Sequence, residues 1–177
     1  MDNYSNDTMK WMLEQIKMPD KELKILDIGS MDLNGAYRYM FPNPKWKYVG
    51  LDMEPGKNVD VVTKDPYSYP FYDNCFDVVI SGNCLEHVED THRWADEAIR
   101  VCKPGGYICI AVPSSWGEHK YPVDCWRVYP DGLNWLFSKR VTSMSLCFVG
   151  NCMGNPVMHE SVCYGFFRKN FLGTLEV

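Results

Sequence analysis

Residues 24–30 read KILDIGS, and the fold follows from how this stretch ends. A short apolar run stopped by a glycine reads as a buried strand followed by a sharp turn. Gly29 has no Cβ, so the backbone there can approach a ligand closely. Reading outward, further apolar runs appear at Lys47–Asp52 (KYVGLD), Val59–Thr63 (VDVVT), Phe76–Ser81 (FDVVIS) and Tyr107–Val112 (YICIAV). Helical patterns lie between and around them. Gly35–Phe41 suits a short helix stopped before Pro42. Thr91–Cys102 places Ala95, Ala98, Ile99 and Cys102 on one face, and Pro104-Gly105-Gly106 ends it. Upstream, residues 6–17 carry Met9, Met12, Leu13 and Ile16 at helical spacing. Downstream, Asp131 can cap a helix over Gly132–Ser138, and Ser143–Val149 with Ser161–Arg168 suggests an edge hairpin with a long loop.

Strands alternating with helices predict an α/β fold with a mostly parallel sheet and helices on both faces. The chain divides into an N-terminal helix (1–20), a core (24–137) and an antiparallel C-terminal hairpin (141–170), expected to form one domain. The segment MEPGKN between strands two and three is too short for a crossover helix, so an abbreviated connection is expected there. Ligands of such sheets bind beyond the carboxyl ends of the strands, at the topological switch point. Chemistry is therefore expected just after strands one, two, four and five.

Composition narrows the partners. Apolar residues make up 46% and charged residues 23%, the balance of a globular protein. The net charge of -5 gives no general attraction to phosphate backbones, so no nucleic-acid partner is expected. No stretch approaches the roughly 20 apolar residues needed to cross a bilayer. The polar N-terminus does not read as a signal peptide, and a cytoplasmic location is expected. Eight cysteines show no C-x-x-C pair and several sit in apolar runs, so buried reduced thiols are expected and no metal site.

Two features point to a nucleotide. Gly29 ends strand one, and the helix expected to follow presents unpaired N–H groups near the ligand. Asp52 ends strand two, about 20 residues on, where a carboxylate can accept hydrogen bonds from ribose hydroxyls. Alone, Gly29 could merely end a strand and Asp52 merely cap a turn; in register with the strand order they favour adenosine.

With ILDIGS (25–30), YVGLDME (48–54), DPYSYPFYDNCFDVVISGNCLEHVED (65–90) and RVCKPGGYICIAVP (100–113), the chain resembles the class I S-adenosylmethionine-dependent methyltransferases, particularly the type 11 domain group. The resemblance covers about Lys24 to Phe137 and implies a Rossmann-like fold with S-adenosylmethionine as cofactor. It implies that Asp27 orients the methionine amine, that Gly29 and Ser30 line the methionine and ribose side, and that Asp52 holds the ribose. It further implies Met53 packed on adenine, Asp65 facing the adenine amino group, Ser81 and Gly82 beside the cofactor, and a last strand inserted antiparallel between two others.

The chain departs from the family's D-x-G-x-G-x-G loop. Met31 and Leu33 occupy the second and third glycine places, and Gly35 comes next. Asn34-Gly35 is expected to take the tight conformation instead. A dinucleotide enzyme would need G-x-G-x-x-G, which is missing.

The segment PSSWGEHKYPVDCWRVYPDG (113–132) should cover the reacting methyl group. His119, Asp124 and His87 are the candidate catalytic groups, because a hydroxyl or amine acceptor is helped by a nearby imidazole or carboxylate. Arg127 suits a carboxylate or phosphate on the substrate, and Tyr121 and Trp126 suit a flat apolar wall. Structural roles compete. Asp124 and Arg127 are three apart and suit an ion pair, His87 suits a cap or a backbone bond, and Trp126 suits a core. His92 and His159 belong to no constellation. The leading expectation is methyl transfer to a small-molecule acceptor. The alternatives are a non-catalytic domain that binds a nucleoside or a protein partner, and a nicotinamide enzyme.

Overall fold

Strand β5 (Cys102–Ser115) sends Ile108, Ile110 and Val112 into one core and Cys109 and Ala111 into another. The same parity holds in β1 (Leu23–Ile28), where Leu26 and Ile28 join the first core and Leu23 and Ile25 the second. Successive strand side chains point to opposite faces, so a strand covered on both reads as an unbroken apolar run. That is why KILDI and YICIAV lack polar alternation. The structure is a computed structural model and describes residues 3–16, 18, 20–138, 141–150 and 161–170.

The remaining strands are β2 (Trp46–Asp52), β3 (Val61–Val62), β4 (Phe76–Gly82), β6 (Val141–Gly150) and β7 (Ser161–Lys169). All seven form one sheet in the order β3-β2-β1-β4-β5-β7-β6. Strands β1 to β5 run parallel, and β7 lies antiparallel between β5 and β6. The C-terminal hairpin is therefore present with its second strand inserted, as the resemblance implied. Helix α1 (Asn3–Gln15) packs Met9, Met12 and Leu13 on one face of the sheet. Helices α2 (Thr91–Val101) and α3 (Pro130–Phe137) pack Trp94, Ala98, Leu133 and Phe137 on the other. Fully burying a side chain such as Leu26 or Phe137 contributes about 1.5–3 kcal/mol.

Several elements differ from the sequence reading. Helix α1 begins earlier than residue 6, and Lys17 lies outside the described residues. Gly35–Phe41 forms only a 3-10 turn at Arg38–Met40, because Tyr37 and Phe41 are both buried and pin its ends. Arg38 Nε also donates to Asn58 Oδ1 at 2.6 Å, tying this turn to the next loop. Strand β3 keeps two residues of the five expected. Its start is lost because Asp60 bonds to Gly50 twice, N to O at 2.8 Å and Oδ2 to N at 2.7 Å. The link from β2 to β3 has no helix, as its length required. Helix α3 is capped at Tyr129 rather than Asp131, since Pro130 in the first turn has no N–H to satisfy. Asp131 lies within that first turn, where its charge suits the helix dipole. Helix α2 has a side-chain cap that the sequence reading did not name, with Asp90 Oδ1 accepting from Arg93 N at 3.1 Å. Strand β5 begins at Cys102, with a register shift across the Pro-Gly-Gly turn before Tyr107. Among the described residues, no helix is long and apolar enough to cross a membrane.

Candidate active site

The chain leaves β1 toward β2 on one side and later returns through β4 on the other, so the carboxyl ends of β1 and β4 bound a crevice. A cavity of about 810 Å³ opens there. Two glycines shape it. Gly29 has φ +74°, and a Cβ on it would lie 2.5 Å from Cys84 Sγ. A Cβ on Gly82 would lie 2.0 Å from the Tyr37 hydroxyl. Only glycine lets the loops after β1 and β4 come this close. Between them, Asp32 Oδ1 accepts from Gly35 N at 2.8 Å, and Gly35 has φ +124°, so the chain turns at Asn34-Gly35. The Met31 side chain lies against Gly56, with Sδ 3.9 Å from the Tyr121 hydroxyl, and forms part of the cavity wall.

Two of the carboxylates that line this space come from β1 and the end of β2. Asp52 Oδ2 accepts from Met31 N at 2.9 Å and Oδ1 from Met53 N at 2.7 Å. These bonds fix the group and leave each oxygen further acceptor capacity. Asp27 is buried on β1 and accepts from the Tyr48 hydroxyl. Burial pushes its carboxyl up to about 7, against the pull of that hydrogen bond. Burial and the neighbouring Asp27 push the Tyr48 phenol up in turn.

Of the residues the sequence singled out for cofactor, Asp27, Gly29, Ser30, Asp52, Met53 and Gly82 line the cavity. Asp65 and Ser81 do not. Asp65 is exposed, and its Oδ1 accepts from Tyr67 N at 2.8 Å in a local turn. Ser81 is buried and donates to Ile28 O at 2.8 Å, bracing β4 against β1.

His87, His119 and Tyr121 line the same cavity, whereas Asp124, Trp126 and Arg127 do not. Arg127 donates to Asp124 through Nη1 at 2.6 Å and Nη2 at 2.8 Å, and to the carbonyls of Trp116 at 3.2 Å and Gly117 at 3.0 Å. The guanidinium holds the Asp124 carboxyl well below the usual carboxylate range. Asp124 Oδ2 also accepts from His119 N at 2.7 Å, so the pair fixes the backbone that carries His119. The Trp126 indole donates to Val88 O at 2.6 Å, and Cys125 N donates to Glu86 O at 2.7 Å. These bonds join the long loop after β5 to the 3-10 turn Leu85–His87 that follows β4.

Glu86 on that turn is fully buried and lines the cavity, and sequence reasoning passed over it. Its one signal was its place beside His87, after the fourth strand. Tyr37, Tyr69 and Trp94 also line the cavity, and nothing local in the sequence marks them. His92 is exposed, and His159 lies outside the described residues. Among the described cysteines, Cys102, Cys109 and Cys163 are buried, Cys75 and Cys84 are half-buried, Cys125 is exposed, and all six are free thiols.

Comparison with known proteins agrees with this architecture. Residues 26–110 match the family model described as a methyltransferase domain. An uncharacterized methyltransferase from Mycobacterium sp. (strain KMS) is 34% identical over 96 residues, covering 49% of this chain and 37% of the relative. An uncharacterized methyltransferase from Schizosaccharomyces pombe is 28% identical over 153 residues, covering 69% of this chain and 53% of the relative. The chain thus spans well under two thirds of the length of these relatives. Among solved structures, a SAM-dependent methyltransferase from Methanosarcina mazei superposes with a TM-score of 0.66 at 14% identity, covering 90% of this chain and 97% of that one. The cyclase SpnF superposes with a TM-score of 0.71 at 15% identity, covering 93% and 80%, so the fold alone does not fix the reaction. The family model and the relatives carry what the fold does not: residues 26–110, about half of this chain, match the methyltransferase domain family.

Proposed function

We propose that this chain, as one domain, transfers a methyl group from S-adenosylmethionine to a small-molecule acceptor held beside His87, His119 and Tyr121. The observation that carries this reading is a convergence. Asp27, Gly29, Asp52 and Gly82, from the ends of three strands, line one cavity with the two histidines. Asp52, already fixed by two backbone N–H groups, would accept from the ribose hydroxyls. Met53 and Met31 would give adenine an apolar wall, and Asp27 would face the methionine ammonium. Asp65, out on its turn, would reach adenine only after a shift of the 63–67 segment.

When bound, the sulfonium supplies an activated methyl carbon. The chain's own residues would place the acceptor in line with it, at about 3–3.5 Å, and exclude water. Each histidine holds a carbonyl near Nδ1, at 2.6 Å for His87 and 3.0 Å for His119, so Nε2 is the nitrogen turned to other work. Asp124 and Arg127 would act through the loop, as positioning residues for His119, and Trp126 likewise.

Parallel calorimetric titrations with S-adenosylmethionine, S-adenosylhomocysteine and NAD test the reading. The two sulfur nucleosides should bind and NAD should not. Asp52→Ala should weaken nucleoside binding by about 10- to 100-fold, the cost of hydrogen bonds to a charged group, while circular dichroism stays unchanged. Absence of binding by all three would sink the cofactor assignment and favour a non-catalytic role.

A further inference from the structure

Glu86, His87 and His119 meet at one point of the cavity wall, although they come from two separate loops. Nε2 of His87 and Nε2 of His119 each lie 3.7 Å from Glu86 Oε1. One ligand atom from each of the three residues falls within 4.8 Å of the others. The two rings meet edge to face, with centroids 5.0 Å apart and planes at 88°. Val123 O lies 2.6 Å from His87 Nδ1 and Gly117 O lies 3.0 Å from His119 Nδ1, so a ring protonated at Nδ1 has its Nε2 available as a ligand. Metal-binding histidines are typically held this way, with the second ring nitrogen donating to a carbonyl or carboxylate.

We propose that Glu86, His87 and His119 bind a divalent transition-metal cation. Two imidazole nitrogens and one carboxylate oxygen form a donor set suited to zinc, manganese or iron(II), with positions left open for an exogenous ligand. Tetrahedral zinc at about 2.0–2.1 Å from each donor needs ligand atoms about 3.3 Å apart. The two 3.7 Å separations close to that value with shifts of a few tenths of an ångström, and the histidine-to-histidine separation, within 4.8 Å, closes with a rotation of the half-buried His119 ring. The outer shell is built as well: the Asp124–Arg127 pair holds the His119 backbone, and the Cys125 and Trp126 N–H groups hold the Glu86 carbonyl.

All three residues line the cavity, so the cation's open positions would be reached from it, which names the acceptor class: a small molecule that offers an oxygen to the cation. That part rests on the proposed methyl transfer; the cation site itself does not. A hydroxyl bound to the cation loses its proton to solvent more readily. The resulting oxygen attacks the methyl carbon, the new O–C bond forms as the C–S bond breaks, and the electron pair stays on sulfur as a neutral thioether.

Equilibrium dialysis of the full chain against zinc chloride, followed by elemental analysis, tests the site. One zinc per chain is expected. Glu86→Gln and His119→Gln should each lower affinity by at least about tenfold, while exposed His92→Ala leaves it unchanged. Circular dichroism checks that each variant folds, and Glu86→Gln keeps the side chain's shape. Cobalt(II) in place of zinc should give a visible spectrum of nitrogen and oxygen ligation. A strong thiolate charge-transfer band would assign the metal to the cysteines and overturn the proposal. So would substoichiometric zinc, or zinc retained in both substituted proteins. Titration with S-adenosylhomocysteine alongside separates the two readings. Nucleoside binding without zinc removes the metal site, and zinc without nucleoside binding keeps it and removes the cofactor assignment.

Discussion

Asp27 sits on β1 with its carboxyl raised to about 7, because burial penalises its charge more than the Tyr48 hydroxyl compensates. In the unfolded chain the same group titrates near 3.8. A carboxyl raised on folding contributes stability that is fully present below its unfolded pKa and is lost as pH rises through its folded pKa. Wild-type protein should therefore lose stability between about pH 4 and pH 7, by an amount of order a few kcal/mol. Asp27→Asn keeps the shape and an acceptor for Tyr48 but cannot ionise. Urea denaturation of both proteins at pH 5 and pH 8 should show the difference, with Asp27→Asn more stable than wild type at pH 8. Equal pH slopes would mean that Asp27 is ionised throughout. The native cost has a use under the proposed function, since a ligand ammonium beside Asp27 would offset it.

At the scale of elements, the loop after β5 is held by hydrogen bonds rather than by regular structure. Arg127 gathers the Asp124 carboxylate and three loop carbonyls, those of Trp116, Gly117 and Trp126. The Asp124 side chain is only 2% exposed, so removing its cation leaves a buried charge unpaired. Arg127→Ala should cost about 3 kcal/mol, at the lower end for a broken buried pair. Chemical denaturation checks this. S-adenosylhomocysteine affinity should stay within about twofold, because Arg127 lies off the cavity wall. Unchanged stability with lost acceptor binding would instead give Arg127 a direct role at the substrate.

At the scale of the molecule, one sheet separates two cores, and the cavity lies where the strand order reverses. Trp94 and Tyr69 belong both to the first core and to the cavity wall. A nucleoside seated there would contact side chains that the whole fold depends on, so binding should stabilise the molecule globally. At 100 times its Kd, S-adenosylhomocysteine should add about 2.7 kcal/mol. For a chain of this size that raises Tm by about 5–10 °C. Differential scanning calorimetry reads the shift, and a transition that splits in two on binding would show that the site unfolds separately from the sheet.

The sequence by itself determined the strands, the mostly parallel sheet they form and the end of that sheet where chemistry should lie. Apolar runs and Gly29 are local signals, set by side-chain period and by the lack of a Cβ, so KILDIGS and YICIAV could be read without knowing their neighbours. Local context also sufficed for the turn at Asn34-Gly35 and for the absent helix between β2 and β3. Tertiary structure decided what the loops do. Residues 35–41 shrank to a 3-10 turn because buried Tyr37 and Phe41 pinned both ends. Asp65, Ser81, Asp124, Trp126 and Arg127 are of the residue types a site needs, yet each turned to brace a turn, a strand or a loop. Glu86 and His119 are far apart in the chain and meet only because the segments after β4 and β5 are bonded together. No spacing rule contains that meeting, since closure between two loops depends on the sheet that carries them both.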